Sequence, residues 1–123
     1  MKNYLEKDRG ISLDQIKKIR EELWAEASAL VYTKGHDYNY QQQLNGDTLA
    51  NLRSSSDLGI LDDPMQYCLA LVVNKINRAN SLRLTDPKVK GESMKDTIED
   101  GINYLTYVYA FYLEKHGQLP SKS

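Results

Sequence analysis

Residues 92–104 read ESMKDTIEDGINY and carry the clearest helical pattern in the chain. At about 100° per residue, one side of this helix and its continuation is apolar. That side contains Met94, Ile98, Gly101, Ile102, Leu105, Val108 and Tyr109. We predict that this apolar side packs into the core. A polar series on roughly the opposite side, here called the acidic stripe, contains Glu92, Asp96, Asp100 and Asn103.

The acidic stripe has two interpretations. Carboxylates on successive helical turns suit a hard divalent cation, and the stripe runs on into aromatic residues and not into lysines or arginines. Alternatively, Ser93 caps the helix, Asp96 completes a capping-box pair, and the acids lie near the positive end of the helix dipole. Spacing alone favours the capping interpretation, and a metal site stays open as the second.

Three long helices are predicted along the chain. The first begins after an N-cap at Ser12 and keeps one apolar side until Gly35. The second begins at Asp63-Pro64, with Cys68 in its core side. The last runs from about Ser93 to Lys115 and ends at Gly117.

The intervening segments are less regular. The range Tyr32–Tyr40 holds three of the nine tyrosines, and we predict a tight loop there because Gly35 and Asn39 tolerate positive φ. We expect Asp47 to cap a short helix, after which Ser54–Asp57 returns to a loop.

The whole pattern predicts an all-α fold, a helical bundle of three long helices plus a short helix. One domain covers residues 1–123, with 1–11 and 118–123 expected to be flexible. The last helix has both of its sides to cover, and its aromatic residues Tyr104, Tyr107 and Phe111 need burial. We therefore expect oligomerisation to complete the bundle, most simply as a homodimer with a four-helix core.

Composition excludes several classes of protein. Sixteen Lys and Arg against seventeen Asp and Glu give a formal charge of -1, so the chain gives no strong nucleic-acid signal. No apolar run approaches the ~20 residues of a membrane span, and the first residues lack the apolar core of a signal peptide. With a single cysteine, disulfides are not the framework. We expect a cytoplasmic protein with no membrane partner.

Two cations lie among apolar residues on a second side of the middle helix, at Lys75 and Arg78. Their aliphatic stems can pack on the core while the charges reach water. They can also bind phosphate oxygens, Lys as a point charge and Arg as a planar fork. The sequence leaves both interpretations open.

Five short motifs together resemble a known family of phage and prophage proteins, nucleotide modification associated domain 1. The motifs are Lys34-Gly35-His36-Asp37-Tyr38, Leu49-Ala50-Asn51-Leu52, Leu58-Gly59-Ile60, Lys75-Ile76-Asn77-Arg78 and the segment from Glu92 through Asp96, Asp100 and Asn103 to Tyr104. They lie within roughly residues 26–105. Family members are described as dATP/dGTP diphosphohydrolases, and they look like distant relatives of the all-α nucleotide pyrophosphatases of the MazG and dimeric dUTPase type.

The resemblance implies a Mg²⁺ cofactor held by acidic residues of two neighbouring helices. Glu92, Asp96 and Asp100 would be metal ligands, with Glu26 or Glu22 from the first helix as a second pair. Glu92 and Asp96 would be catalytic, because their metal aligns a water against the α-phosphate. The nucleotide-binding residues implied are Lys34, Asp37, Tyr38, Asn51, Lys75, Arg78 and Asn103.

Two positions depart from the family pattern: Asn74 replaces an Asp before the lysine, and Asn39 replaces a Gly. Two functions are expected. The first, which the resemblance implies, is a metal-dependent nucleoside triphosphate pyrophosphohydrolase acting on deoxynucleotides. The second is a non-catalytic binder that sequesters a nucleotide-derived signal or blocks a host defence protein. The acidic stripe favours the enzyme, and Asn74 favours the binder.

Overall fold

A computed structural model describes residues 9–38, 47–85 and 93–122, with the backbone alone described for 34–38. These ranges form the helices α1 (Leu13–Tyr38), α2 (Ser54–Asp57), α3 (Pro64–Leu82) and α4 (Met94–Lys115), and a 3₁₀ helix at Ala50–Arg53. No strand occurs within them. The predicted all-α class is confirmed. None of the helices described is long and apolar enough to cross a bilayer.

The first and third helices begin at the predicted caps. At α1, the Ser12 hydroxyl accepts from the Gln15 amide (3.1 Å), and the Gln15 side chain accepts from the Ser12 amide (2.9 Å). At α3, the Asp63 carboxylate accepts from the Gln66 amide (3.0 Å), and Pro64 occupies the first helical position. In both helices the side chains satisfy backbone donors that the helix itself leaves open.

The ends of α4 also follow the sequence. The Ser93 hydroxyl accepts from the Asp96 amide (3.1 Å), and the Asp96 carboxylate accepts from the Ser93 amide (3.4 Å). At the other end, Gly117 has a φ of 67° and the Gln118 amide donates to the Leu113 carbonyl (2.8 Å). The capping interpretation of Asp96 is confirmed.

Two predicted loops are wrong. Helix α1 continues through Gly35 to Tyr38, because a glycine costs a helix about 1 kcal/mol but keeps its backbone hydrogen bond. Residues 39 and 40 of the predicted loop lie outside the described residues. The range Ser54–Asp57 forms the one-turn helix α2. The predicted cap at Asp47 is wrong, because the N-cap of the 3₁₀ helix is Leu49. The Asp47 carboxylate instead accepts from the Leu49 amide (3.2 Å) in the turn before this helix.

The core lies between the 3₁₀ helix and the antiparallel pair α3 and α4. Its buried apolar members Leu52, Cys68 and Phe111 pack together. Cys68 is fully buried, and burial raises the pKa of its thiol to about 11. Arg53 covers this core, with its guanidinium 4.9 Å from the Phe111 ring centroid and hydrogen-bonded to Glu114 (2.7 and 2.8 Å).

The predicted core side of α4 is largely wrong, although its Val108 packs against the core. Its apolar residues Met94, Ile98, Leu105 and Tyr109 are 39–62% exposed. The buried residues of α4 are instead Thr97, Glu99, Asn103 and Phe111. Helices α1 and α3 both pack on α4, and they do so through its polar and aromatic sides. Helical spacing shows which residues share a side, but neighbouring helices determine which side is covered.

Candidate functional site: a carboxyl pair between α1 and α4

Three charged side chains meet where α1 crosses the first turns of α4. The Lys95 ammonium nitrogen lies 2.6 Å from a Glu22 oxygen and 2.9 Å from Glu26. Glu22 and Glu26 are one helical turn apart, so both carboxylates reach the same cation. All three side chains are 42–60% exposed, and this part of the site faces solvent.

Glu99 extends the cluster inward. This residue is only 3% exposed, and its carboxyl shares a hydrogen bond with the Glu26 carboxyl. Its oxygen Oε2 is buried and has no hydrogen-bond partner in the described part of the chain. A buried carboxyl oxygen without a partner is costly, so this atom is an unusual feature of the molecule.

The two carboxyls have different proton affinities. Burial, followed by the hydrogen bond to Glu26, raises the pKa of Glu99 to about 7. The hydrogen bond from Glu99, followed by that from Lys95, lowers the pKa of Glu26. Below about pH 7 the pair therefore holds one proton, which resides mainly on Glu99. A carboxyl that titrates near pH 7 can serve general acid–base chemistry.

A second ion pair joins α3 to α4. The Lys75 ammonium lies 3.0 Å from the Asp100 carboxylate, and their side chains are 23% and 18% exposed. The predicted phosphate-binding lysine and one predicted metal ligand thus neutralise each other. The sequence left open whether Lys75 extends its charge into water or binds phosphate. The structure shows a third arrangement, an ion pair with a specific carboxylate.

Asn103 has a structural contact. It is 9% exposed, and its side-chain amide donates to the Ala27 carbonyl of α1 (3.0 Å). This hydrogen bond fixes α4 against α1 one turn beyond Glu99. It keeps Glu26 and Glu99 at the same level of the two helices.

The structure divides the predicted acidic stripe among different tasks. Asp96 is exposed and caps α4, Asp100 faces α3, and Asn103 faces α1. Glu92 lies outside the described residues. Of the predicted ligands, Glu26 alone joins the carboxyl pair described above.

The remaining predicted nucleotide-binding residues are spread over the molecule. The backbones of Lys34, Asp37 and Tyr38 belong to the last turns of α1, and their side chains lie outside what the structure describes. Asn51 is exposed on the 3₁₀ helix, and Arg78 is exposed on α3.

The donor set at the pair fits Mg²⁺. Within residues 9–38, 47–85 and 93–122, no three His, Cys, Asp or Glu side chains converge in a way that could hold a metal ion. Magnesium in nucleotide sites, however, commonly takes one or two carboxylates and completes its shell with water and phosphate oxygens. The carboxyls of Glu26 and Glu99 supply oxygen ligands from two helices, and Oε2 of Glu99 is not engaged elsewhere.

Sequence reasoning missed Glu99, because it belongs neither to the apolar side of α4 nor to the acidic stripe. A signal for it existed. Lys95, Glu99 and Asn103 follow each other at steps of four, as do Glu22 and Glu26. Two such series on different helices make a polar seam, and Lys95 within it can neutralise the acids.

The chain matches no family model, no curated protein and no solved structure. The assignment of function therefore depends on the residues and the geometry given above.

Proposed function

We propose that this chain binds a nucleotide together with Mg²⁺ and hydrolyses its phosphate chain as a pyrophosphohydrolase. One observation carries the proposal: Glu99 is a buried carboxyl with an unengaged oxygen and pairs with Glu26 of the neighbouring helix. Acidic residues from two adjacent helices are what the resemblance implies for such enzymes. Glu99 is more buried than Asp96 or Asp100, and in the proposal its pair with Glu26 replaces the acidic stripe as the centre of the site.

Each residue of the cluster has a role in the proposal. Glu26 and Glu99 would hold the metal, and Glu99 would have to be deprotonated to do so. The exposed Glu22 adds negative charge at the mouth of the site. Lys95 neutralises Glu22 and Glu26 without the metal, and its flexible stem lets it move toward an incoming phosphate. Bound Mg²⁺ would supply charge neutralisation for the phosphates and lower the pKa of a coordinated water.

The cationic groups of α3 supply phosphate contacts in the proposal. Arg78 is exposed and offers a planar fork for phosphate oxygens. Lys75 reaches a phosphate by exchanging its Asp100 partner for it. Asn51 and, from the end of α1, Lys34, Asp37 and Tyr38 would contact the base and the sugar, as the resemblance implies. We place the protein in the cytoplasm, within a bacterial host if it is phage-encoded, and we propose that it works as a homo-oligomer.

A second candidate is a nucleotide-binding protein without hydrolysis, which acts by sequestering a signal or blocking a host defence protein. Two observations favour it. Lys75 is already neutralised by Asp100, and Asn74 is an exposed amide where the family pattern has a carboxylate. If that carboxylate normally serves the metal or the water, binding would survive its loss and hydrolysis would not.

Thermal unfolding with and without millimolar Mg²⁺ and a panel of deoxynucleoside triphosphates tests the proposal, together with an assay for pyrophosphate release. We expect Mg²⁺ plus nucleotide to raise the Tm of the wild type, because a ligand of the native state stabilises it. Glu99→Gln should abolish this increase and any pyrophosphate release. Glu114→Gln, on the same helix but at Arg53, is the control and should keep both.

The outcomes separate the candidates. A Tm increase with pyrophosphate release supports the enzyme, and a Tm increase without release supports the binder. A wild-type Tm that does not change with Mg²⁺ and any nucleotide would contradict both candidate functions. A response that Glu99→Gln retains would show that the ligand binds away from the carboxyl pair.

A further inference from the structure

Helices α3 and α4 present an apolar surface that nothing in the described chain covers. Its members have exposed fractions between 39% and 62%. They are Leu69, Val73 and Ile76 on α3, and Met94, Ile98, Leu105, Tyr109 and Tyr112 on α4. We call these eight residues the α3–α4 face.

The contacts of α4 show where this face lies. Helix α1 meets the side of α4 that carries Lys95, Glu99 and Asn103. Helix α3 meets the side that carries Asp100 and Phe111. The apolar residues of α4 occupy the third side, and α1 therefore does not shield them.

The apolar residues of α3 lie on the same side of the molecule. Lys75 pairs with Asp100, while Cys68, earlier in α3, packs with Phe111, later in α4. The two helices are therefore antiparallel. Leu69, Val73 and Ile76 lie about 100° around α3 from the residues that face α4. On α4, the apolar residues are rotated from the residues that face α3 in the same sense, counted from the N-terminus to the C-terminus of the helix. Because the two helices are antiparallel, equal senses of rotation bring both apolar series to the same side of the helix pair.

The size and charge of the face suit a second copy of this chain. A half-exposed aliphatic or tyrosine side chain still presents on the order of 100 Å². Eight of them present on the order of 800 Å², which is what one partner of a standard protein interface buries. None of the eight is charged, so an identical face meets no like-charge repulsion. An apolar patch of this size is uncommon on a monomer.

We infer that two copies of the chain dock through their α3–α4 faces and form a homodimer. The contact is isologous, so the same patch serves both partners. Two antiparallel helix pairs placed face to face build a four-helix core. The carboxyl pair of Glu26 and Glu99 stays outside this interface, because α1 packs on a different side of α4. The inference does not depend on the proposed nucleotide chemistry.

Light scattering coupled to gel filtration tests it on the full chain at micromolar concentration. We expect a mass near twice the 14.1 kDa of one chain. Leu105→Glu and Val73→Glu should each give monomers, because a carboxylate at the centre of an apolar interface cannot be solvated. Leu58→Glu is the matched control. Leu58 is 75% exposed in the turn after α2, and its change should leave the dimer intact.

Circular dichroism of each variant shows whether the helices persist, as they should for positions about half exposed in the single chain. If a glutamate variant unfolds, cross-linking decides. Leu105→Cys treated with a short bis-maleimide should give a covalent dimer, and Leu58→Cys should not. Equal cross-linking of the two cysteine variants would contradict the interface.

Other outcomes would overturn the inference. The wild type could elute as a monomer, both glutamate variants could remain dimers, or Leu58→Glu could dissociate as readily as they do. A monomer that sediments with lipid vesicles would assign the face to a membrane surface.

Discussion

Replacing Glu99 by glutamine should make the protein more stable than the wild type at pH 8 but not at pH 5. Glutamine keeps the shape of the side chain and can still donate a hydrogen bond to Glu26. It cannot acquire a charge. In the wild type, raising the pH forces a charge onto a residue that is only 3% exposed.

The direction of this change in stability with pH follows from the pKa of Glu99. Burial and the Glu26 carboxyl raise the pKa of Glu99 from 4.5 to about 7. The folded protein therefore holds this proton more tightly than the unfolded chain does. Its contribution to stability is fully present below pH 4.5 and is lost as the pH rises through about 7.

The size of the expected change in stability follows from the same increase in the pKa of Glu99. Each pKa unit corresponds to about 1.4 kcal/mol, so a shift of roughly two and a half units sets an upper limit of about 3 kcal/mol. Glu26 titrates together with Glu99, and we expect a difference of about 1–3 kcal/mol between the two pH values. For a chain of this length, that corresponds to a Tm difference of about 4–12 °C.

The assay is urea or thermal unfolding of the wild type and Glu99→Gln at pH 5 and pH 8, without metal. Glu114→Gln is the control with the opposite sign. The hydrogen bonds from Arg53 lower the pKa of Glu114, so its contribution is present above its ordinary pKa and lost as the pH falls. Glu114→Gln should therefore be less stable than the wild type at pH 8. If the stability gap between Glu99→Gln and the wild type were the same at both pH values, the reasoning about the carboxyl pair would be refuted.

Two further predictions concern contacts that hold the bundle together. Asn103→Ala should lower the free energy of unfolding by about 1–3 kcal/mol in urea, because it removes a buried hydrogen bond to the α1 backbone. Asn80→Ala on the exposed surface should lower it by under about 0.5 kcal/mol. Equal effects would show that the buried hydrogen bond does not stabilise the fold. Arg53→Lys should cost about 1 kcal/mol, because lysine cannot reproduce the two-nitrogen contact with Glu114. The loss should be smaller in a Glu114→Gln background but not zero, because Arg53 also binds the Asp47 carboxylate (2.7 Å). Arg83→Lys, just after the exposed end of α3, should be neutral.

The local sequence determined the helices and their ends. Ser93 and Asp96 form a capping box because both act on backbone groups within one helical turn, and no distant residue is needed. The same holds for Asp63 with Pro64 at α3 and for Gly117 at the end of α4. The helix α1 was harder to delimit, because one glycine weakens a helix without ending it.

The tertiary structure determined which sides of the helices are buried and which acids meet. The apolar side of α4, with Ile98 and Leu105, has the spacing of a core side, yet α1 and α3 pack on the other two sides and leave it exposed. Asp96 and Asp100 share a stripe in the sequence, but one caps the helix and the other pairs with Lys75. Glu99 became a site residue because α1 brings Glu26 against it. Helical periodicity is a property of one segment, whereas burial, proton sharing and the pKa of a carboxyl depend on the neighbouring helices, which a single segment does not encode.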